Sequence, residues 1–325
     1  MIDIIIPAYN AHKTIDRAIA SVLIQTVRDQ IKVTIVDDQS DHGYDETVKR
    51  FEGLLRIREI RLPKNGGPGV ARQAGIDATE GKYVLFLDAD DVYLTAPAIQ
   101  HILQPMEEEP NIYMVSAYFF EEIPDGSFLS HEHDTTWVFG KAYRREYLKR
   151  HQIRFNKTRA NEDMGFNTKV RSFAGPQDSI YFLYEHTYLW QHKADSITRE
   201  NHGRYAYTTG YIGFIENKAE ALSHPGANPD FVQDDGVKTI ISMYFMYADL
   251  MAYAPKEKDK AEKSLRTFWK RIGRKIYRQA HPILITEAHD EVTKRWGRPR
   301  TIPPLTLQDF ITMLNQTAAE HKATS

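Results

Sequence analysis

The chain has 325 residues, of which 42% are hydrophobic and 26% charged, as in a globular protein with one large domain and an extension. It has no cysteine, so disulfide bonds and thiolate metal sites are excluded, and no apolar run is long enough to span a bilayer. The net charge of −2 conceals an asymmetry, because residues 256–300 carry 14 Lys or Arg against 6 Asp or Glu and leave −10 on the rest. A basic segment on an acidic chain indicates an anionic partner.

The first part of the chain predicts alternating strands and helices. Apolar runs predict strands at 2–6, 31–36 and 56–62, and the last should be the most exposed because its residues alternate. Helical spacing of apolar residues predicts helices at 14–25 and 70–79. Strand and helix in regular alternation are typical of a right-handed βαβ parallel sheet.

The stretch YVLFLDADD at 83–91 predicts a buried strand that ends in three carboxylates. Ligands of open α/β sheets bind beyond the carboxyl ends of the strands. Asp88 and Asp90 are two residues apart and project to the same side in extended geometry, whereas Asp91 points away. Two carboxylates suit Mg²⁺ or Mn²⁺ that takes further ligands from phosphates, so we predict a metal-diphosphate site. The alternative is an acidic loop that caps the next helix.

Two glycine motifs that bind phosphates are not matched. The GPG at 67–69 lacks the third small residue of a dinucleotide fingerprint, because Arg72 stands there. The GK pair at 81–82 comes one residue late for a P-loop that starts at Gly75. A phosphatase with an aspartate nucleophile would need Asp88 on the first strand instead of the fourth.

Four blocks, in this order and spacing, resemble glycosyltransferase family 2 of the GT-A fold: IIIPAYN at 4–10, IVDDQS at 35–40, NGGPGVARQAGI at 65–76 and YVLFLDADD at 83–91. The resemblance implies an α/β, Rossmann-like fold whose mostly parallel sheet has helices on both faces, followed by a C-terminal helical extension. It is firm over the first 120 residues and continues to about residue 199.

The resemblance divides the chain into two domains. A catalytic domain is expected at 1–204, with the nucleotide-sugar bound by roughly 1–120 and the acceptor and catalytic part in roughly 121–204. A mainly helical region is expected at 205–325, including the basic segment 256–300.

The resemblance also implies which residues bind the donor. The matching positions are Pro7, Ala8, Tyr9, Asp37, Asp38, Arg72, Asp88, Ala89 and Asp90. The turn after the first strand and one of Asp37 or Asp38 resemble the positions that hold the base and ribose, and Arg72 resembles an arginine that supports the nucleotide. Asp88 and Asp90 match the D-x-D motif as ligands of Mn²⁺ or Mg²⁺, with Asp90 the more direct one. His192 is a further candidate for the metal or diphosphate.

Glu162 and Asp163 resemble the acidic pair that begins a helix in this family. An inverting transfer needs a carboxylate that takes the proton of the acceptor hydroxyl. The resemblance assigns this role to Asp163 and a supporting or acceptor-positioning role to Glu162. The structural alternative is acidic charge that complements the dipole of a helix first turn.

The rest of the chain predicts a strand at 112–120, a turn-rich loop at 121–136, a buried helix at 237–253 and a short last helix at 307–319. A charged amphipathic helix follows Pro255. A basic helix of this kind binds an anionic membrane surface or a nucleic acid, or docks on the acidic part of its own chain.

The sequence therefore predicts a metal-dependent inverting glycosyltransferase that moves a hexosyl or pentosyl group from a nucleotide-diphosphate donor, most simply a UDP-sugar, to a hydroxyl of a saccharide or lipid-linked saccharide. The alternatives are a phage-type DNA glycosyltransferase that acts on hydroxymethylated bases and a nucleotide-sugar-binding module without turnover. Since no basic leader precedes the first strand, we expect a cytoplasmic protein. The alternatives are a protein peripheral to a membrane and a phage-encoded protein that acts in the host cytoplasm.

Overall fold

The computed structural model describes residues 1–192, 204–295 and 305–323. The chain divides into two compact units. The first comprises Met1–Val170 and Ala174–Lys193, and the second comprises Arg171–Phe173 and Ala194–Ser325. The predicted domain boundary after residue 204 stays a prediction.

The first unit is built on one sheet. Its strands are β1 (Ile2–Ala8), β2 (Ile31–Asp37), β3 (Arg56–Arg61), β4 (Tyr83–Phe86), β5 (Val92–Tyr93), β6 (Ile112–Glu122), β7 (Phe128–His131), β8 (Lys141–Arg144) and β9 (Ser179–Trp190). They lie in the order β3-β2-β1-β4-β8-β6-β9-β5, and β7 pairs with β6. Strands β3, β2, β1 and β4 are parallel, whereas β8 runs antiparallel to both of its neighbours. The sheet is therefore parallel in its first half and mixed in its second.

The helices of the first unit connect these strands. They are α1 (Ile15–Leu23), α2 (Asp45–Phe51), α3 (Pro68–Asp77), α4 (Ala98–Glu108), α5 (Arg145–Arg150) and α6 (Glu162–Ser172). In α1 the side chains of Ile15, Ile19 and Val22 are fully buried, which is the helical spacing that predicted this element. All four residues of β4 are buried, whereas β3 is the partly exposed edge strand expected from its alternation.

Two elements of the second half of the sheet were not predicted. The prediction of a loop at 121–136 is wrong in part, because β6 continues to Glu122 and β7 occupies Phe128–His131, whereas the turn at Asp125-Gly126 and the irregular stretch 132–136 are as predicted. Gly126 has φ 82°, the left-handed conformation that hairpin turns require. Strand β8 has four residues and pairs with β4 on one side and β6 on the other. These pairings form the strand, and its short sequence shows no pattern that predicts one.

The second unit is helical in the part of it that the structure describes. Its helices are α7 (Arg204–Tyr207), α8 (Thr209–Leu222), α9 (Pro229–Tyr253), α10 (Lys258–Phe268), α11 (Arg274–Gln279), α12 (Pro282–Arg295) and α13 (Leu307–Ala323). A π-helical turn, Trp269–Gly273, joins α10 to α11. Large side chains such as Tyr211, Leu250 and Trp269 form its core. Over the ranges described, no helix combines the length and apolar character that a bilayer crossing needs.

Candidate active site

The carboxyl ends of three parallel strands meet at one edge of the sheet. Ala8 at the end of β1 is in register with Asp37 at the end of β2. On the other side of β1, Ile5 pairs with Phe86 at the end of β4. The segments that follow these strands carry most of the predicted site residues, so this edge is the place where an α/β sheet binds ligands.

Asp37 and Asp38 hold the loops at this edge. The fully buried carboxylate of Asp37 accepts a hydrogen bond from Ser40 N at 2.8 Å and lies 3.1 Å from Nη1 of Arg61. The two oxygens of Asp38 accept from Gly66 N and Gly67 N, each at 2.7 Å. Burial raises the pKa of Asp38, although these two N–H donors oppose the shift. Their carboxylates are therefore engaged by the protein, and contact with a ribose stays a prediction.

The turn after β1 leaves one aromatic ring exposed. Pro7 and Ala8 belong to β1, and Ala8 is 2% exposed, whereas the side chain of Tyr9 is 55% exposed. Asn10 has φ 50° and its N–H donates to Ser40 Oγ at 2.9 Å. An exposed ring on a fixed turn is suited to stack on a planar ligand such as a base.

Arg72 joins the two acidic parts of the site. It lies in α3, and its guanidinium donates to Asp88 Oδ1 at 2.7 Å and to Glu162 Oε1 at 2.8 Å. Burial alone would lower the pKa of Arg72, but the charges of Asp88 and Glu162 outweigh it and raise the pKa. The resemblance assigned Arg72 to the nucleotide, whereas its contacts in the structure are to the D-x-D motif and the acidic pair.

The loop after β4 is locked onto β9. Asp91 is 1% exposed, and its carboxylate accepts from Tyr188 Oη at 2.7 Å and from Gln191 N at 2.9 Å. Tyr188 Oη also accepts from the N–H of Asp88 at 3.1 Å. From the other side, Arg17 donates to the carbonyl of Asp90 at 3.0 Å. Neither Tyr188 nor Arg17 was predicted as a site residue, since their contacts with this loop join segments that are far apart along the chain.

The D-x-D carboxylates fit a divalent ion that has few protein ligands. One oxygen of Asp88 contacts Arg72, its side chain is 25% exposed, and Asp90 follows two residues later on the same loop, beyond the buried Ala89. Among the described residues, no three His, Cys, Asp or Glu side chains cluster as a complete metal site. Such a set matches Mg²⁺ or Mn²⁺ that completes its shell with phosphate and water oxygens. The N–H of His192 donates to Glu122 Oε2 at 3.0 Å, and its proposed metal contact stays a prediction.

Glu162 and Asp163 begin α6 and are both 6% exposed. Asp163 Oδ1 accepts a hydrogen bond from Met164 N at 2.8 Å. Burial, with the charge of Glu162 adding to it, raises the pKa of Asp163 to about 8, although Arg72 opposes the shift. A carboxylate with a pKa near working pH is suited to accept a proton.

A glycine permits helix α3 to approach the acidic pair. A Cβ on Gly69 would lie 2.7 Å from Glu162 Cγ, closer than real Cβ atoms come, and 3.1 Å from the carbonyl oxygen of Asn156. The glycine-rich stretch before α3 therefore has a packing role at the site, in addition to the turn at Gly67, where φ is 87°.

Residues behind α6 fix its orientation. Asn167 accepts from Tyr143 Oη at 2.8 Å and donates to the carbonyls of Thr136 and Trp137, both at 2.9 Å. Asn167 is fully buried, so these hydrogen bonds form in a low dielectric. These hydrogen bonds join residues 24 to 31 positions apart, so no local motif predicts them.

The fold is shared with solved glycosyltransferase structures. Residues 1-349 of Staphylococcus aureus TarS in complex with UDP-GlcNAc superimpose with a TM-score of 0.67 at 18% identity, over 91% of this chain and 92% of that one. The mannosyltransferase PcManGT of Pyrobaculum calidifontis, in complex with GDP-Man and Mn²⁺, matches with a TM-score of 0.54 at 15% identity, over 97% and 84% of the two chains. These likenesses show a GT-A fold with a C-terminal helical region, as predicted.

Sequence comparison identifies the family. The model of glycosyl transferase family 2 matches residues 3–167, and the chain belongs to this family of enzymes. The uncharacterized glycosyltransferase EpsJ of Bacillus subtilis is 28% identical over 223 residues, which cover 61% of this chain and 63% of EpsJ. TarS of S. aureus, named poly(ribitol-phosphate) beta-N-acetylglucosaminyltransferase, is 26% identical over 182 residues, 51% of this chain and 32% of TarS. The chain thus matches less than two thirds of the length of these relatives.

Proposed function

We propose that this protein transfers a sugar from a nucleoside diphosphate to an acceptor hydroxyl with inversion at the anomeric carbon. The observation that carries the proposal is the joining of the D-x-D loop, through Arg72, to a buried acidic pair in which the pKa of Asp163 is about 8. A metal-phosphate loop and a proton acceptor are the two parts that such a transfer needs.

The proposed donor is a UDP-sugar. Support comes from the solved complex of TarS with UDP-GlcNAc, whereas PcManGT was solved with GDP-Man and Mn²⁺. Tyr9 would stack on the base, and Asp88 and Asp90 would hold a divalent cation. The cation, when bound, neutralises charge that develops on the departing diphosphate.

Asp163 is the proposed general base. The acceptor oxygen forms a bond to the anomeric carbon while the bond from that carbon to the diphosphate breaks, and the electron pair leaves with the diphosphate. The proton of the acceptor hydroxyl passes to Asp163. Glu162 is held by Arg72 beside it and would position the acceptor or support the base.

The proposed acceptor is a hydroxyl of a saccharide, free or lipid-linked. Transfer to hydroxymethylated DNA remains a second candidate because of the basic segment 256–300. A binding module without turnover would have no need of a proton acceptor, and the buried, raised-pKa Asp163 argues against it.

A thermal-shift panel of UDP, GDP, CDP and dTDP, each with and without Mn²⁺, tests the donor site. We expect UDP to raise the melting temperature only with Mn²⁺, since a ligand that binds the native state stabilises it. Asp90→Ala should abolish the shift. The control Asp29→Ala should retain it, because the side chain of Asp29 is 97% exposed and lies outside the predicted site. If no nucleotide shifts the wild type under any condition, the proposed function is wrong.

A further inference from the structure

The exposed basic side chains of α10, the π-helical turn and α11 lie on one side of this helical segment. We call them the basic stripe, and they are Lys260, Lys263, Lys270, Arg271, Lys275 and Arg278. Successive members are mostly three or four residues apart, the spacing of one helix face, with exposed Thr267 between Lys263 and Lys270. Residues 263–286 contain no Asp or Glu, so no acidic side chain of this stretch neutralises the stripe.

Most of the stripe has no acidic partner. Arg271 is paired with Glu220 at 3.0 Å. Within the described ranges, Lys263, Lys270, Lys275 and Arg278 have no carboxylate within the 4.0 Å of an ion pair. These four ammonium and guanidinium groups are therefore available to an anion from outside.

The opposite side of the same segment is buried and closely packed. Phe268 and Trp269 are each 1% exposed, and Trp269 Nε1 donates to Asn315 Oδ1 at 3.2 Å. A Cβ on Gly273 would lie 2.6 Å from Phe268 Cε1, so the π-helical turn is closely packed. A fixed backbone presents the cations in one arrangement, which reduces the entropy lost on binding.

The buried side also decides what kind of anion fits. An amphipathic helix binds a membrane by inserting its apolar face, but Leu265, Phe268 and Trp269 are already in the core of the second unit. Single-stranded nucleic acids are bound by bases stacked on exposed aromatic rings, whereas Phe268 and Trp269 are buried and Tyr277 is half-buried against Trp269. Within 258–279 the stripe therefore offers charge, and no fully exposed aromatic ring lies beside it.

The spacing of the cations suits a repeated anion. Residues one turn apart on a helix are separated by about 5–6 Å along its axis, and the 18-residue step from Lys260 to Arg278 spans about 27 Å. A flexible chain of phosphate charges can follow such a row, release its counterions and bind without any contact to a specific group.

We propose that the basic stripe binds a flexible polymer of repeated phosphate anions. A polymer held by several cations at once dissociates more slowly than a single phosphate, because the remaining contacts keep a released group at high effective concentration.

Binding of fluorescently labelled inorganic polyphosphate to the full chain tests this proposal. The variant Lys263→Gln/Lys270→Gln/Lys275→Gln/Arg278→Gln should bind at least about tenfold more weakly at low salt, and the slope of log K against log salt should fall by about three, since each cation contributes about 0.7. The control is Lys49→Gln/Lys149→Gln, which removes two exposed cations of α2 and α5 and should bind as the wild type does. The double variant Lys270→Gln/Lys275→Gln, which removes the same number of charges from the stripe, should bind more weakly than this control.

Three results would overturn the proposal. One is binding that the fourfold variant leaves unchanged. The others are tighter binding of duplex DNA, or of vesicles with anionic lipid, than of polyphosphate. The thermal shift with UDP and Mn²⁺, measured on the same samples, shows whether each variant is folded. It also distinguishes failure of the proposed docking surface from failure of the proposed transferase. An intact nucleotide shift without polyphosphate binding removes the docking surface alone, whereas absence of the nucleotide shift in the wild type removes the proposed transferase.

Discussion

Arg72 donates through one nitrogen to Asp88 and through another to Glu162, and the exposed fractions of the three side chains are 4%, 25% and 8%. Two carboxylates so close would repel one another in a low dielectric without the guanidinium between them. The planar fork of arginine reaches both at hydrogen-bond distance, which the single ammonium of lysine does not. Arg72 is therefore the residue that holds the D-x-D loop and the start of α6 in one arrangement.

We expect Arg72→Lys to lower the free energy of unfolding by about 1–3 kcal/mol, because either the buried Glu162 or the partly buried Asp88 loses its partner. Urea unfolding measures the change. The matched control is Arg154→Lys, whose pair with Asp77 is half exposed, at 57% and 47%. Exposed pairs contribute at most about 1 kcal/mol. Equal losses in both variants would mean that Arg72 has no special structural role.

Asp163 is the second residue whose surroundings determine its chemistry. Because its pKa is about 8 without ligands, log kcat/KM should rise with pH and level off above about pH 8. Asp163→Asn should lower sugar transfer by about 10²–10⁴-fold, since the amide accepts no proton. UDP release from the donor measures the rate. An unchanged rate with an intact UDP thermal shift would rule out Asp163 as the base.

The same raised pKa has a consequence for stability. Between the ordinary aspartate pKa and about 8, the folded protein binds a proton at Asp163 that the unfolded chain does not. The free energy of unfolding should therefore decrease as the pH rises from 5 to 8.5, and Asp163→Asn should show a smaller decrease. Urea unfolding of both proteins at these two values provides the comparison, and parallel pH dependences would contradict the assigned pKa.

At the scale of elements, strand β9 holds a loop from another part of the sheet. Tyr188 of β9 donates to Asp91 and accepts from the N–H of Asp88, although these residues are 97 and 100 positions away. The D-x-D loop is thus fastened at its base by a tyrosine, and its geometry depends on where β9 lies.

Tyr188→Phe should lower the free energy of unfolding by about 1–3 kcal/mol, because a buried carboxylate loses a donor. The thermal shift with UDP and Mn²⁺ should shrink as well, since the loop that carries Asp88 and Asp90 is loosened. Tyr184→Phe is the matched control on the same strand, where the side chain is 74% exposed, and should change neither quantity. A thermal shift with UDP and Mn²⁺ as large in Tyr188→Phe as in the wild type would mean that Tyr188 does not contribute to nucleotide binding.

At the scale of the whole molecule, each unit has a core of its own. The second unit also contains a buried ion pair, in which Lys218 Nζ lies 2.7 Å from Asp235 Oδ2 with both side chains about one tenth exposed. In calorimetry we expect two transitions. Lys218→Met should lower the temperature of only one of them, since the buried Asp235 loses its closest cation and keeps Arg171 at 4.0 Å, at a cost of up to about 3–5 kcal/mol. UDP with Mn²⁺ should raise the temperature of the other transition only.

A single transition that both changes move would mean that the chain unfolds cooperatively as one body. In that case the sequence-based division after residue 204 would describe sequence similarity and not folding units. Lys238→Met provides the control, because Lys238 is paired on the surface with Asp234 and Glu291, whose side chains are about half exposed. It should leave both transitions close to their wild-type temperatures.

The sequence by itself determined the elements whose signal is local. The parallel pairing of the first strands and the carboxylates after β4 follow from hydrophobic periodicity, turn residues and the position of ligands at strand ends, whereas the acidic start of α6 was expected from the family resemblance. Four blocks in a fixed order also identified the family, which the match over residues 3–167 confirms.

Only the tertiary structure decided how these parts meet. The partners of Arg72 are 16 and 90 positions away, and Tyr188 is 97 positions from Asp91. Strand β8 exists because β4 and β6 pair with it on both sides. The pKa of Asp163 depends on burial by distant segments and on the charges that folding brings beside it. Such contacts are long-range, and no local pattern of residues encodes a distance between segments that are far apart in the chain.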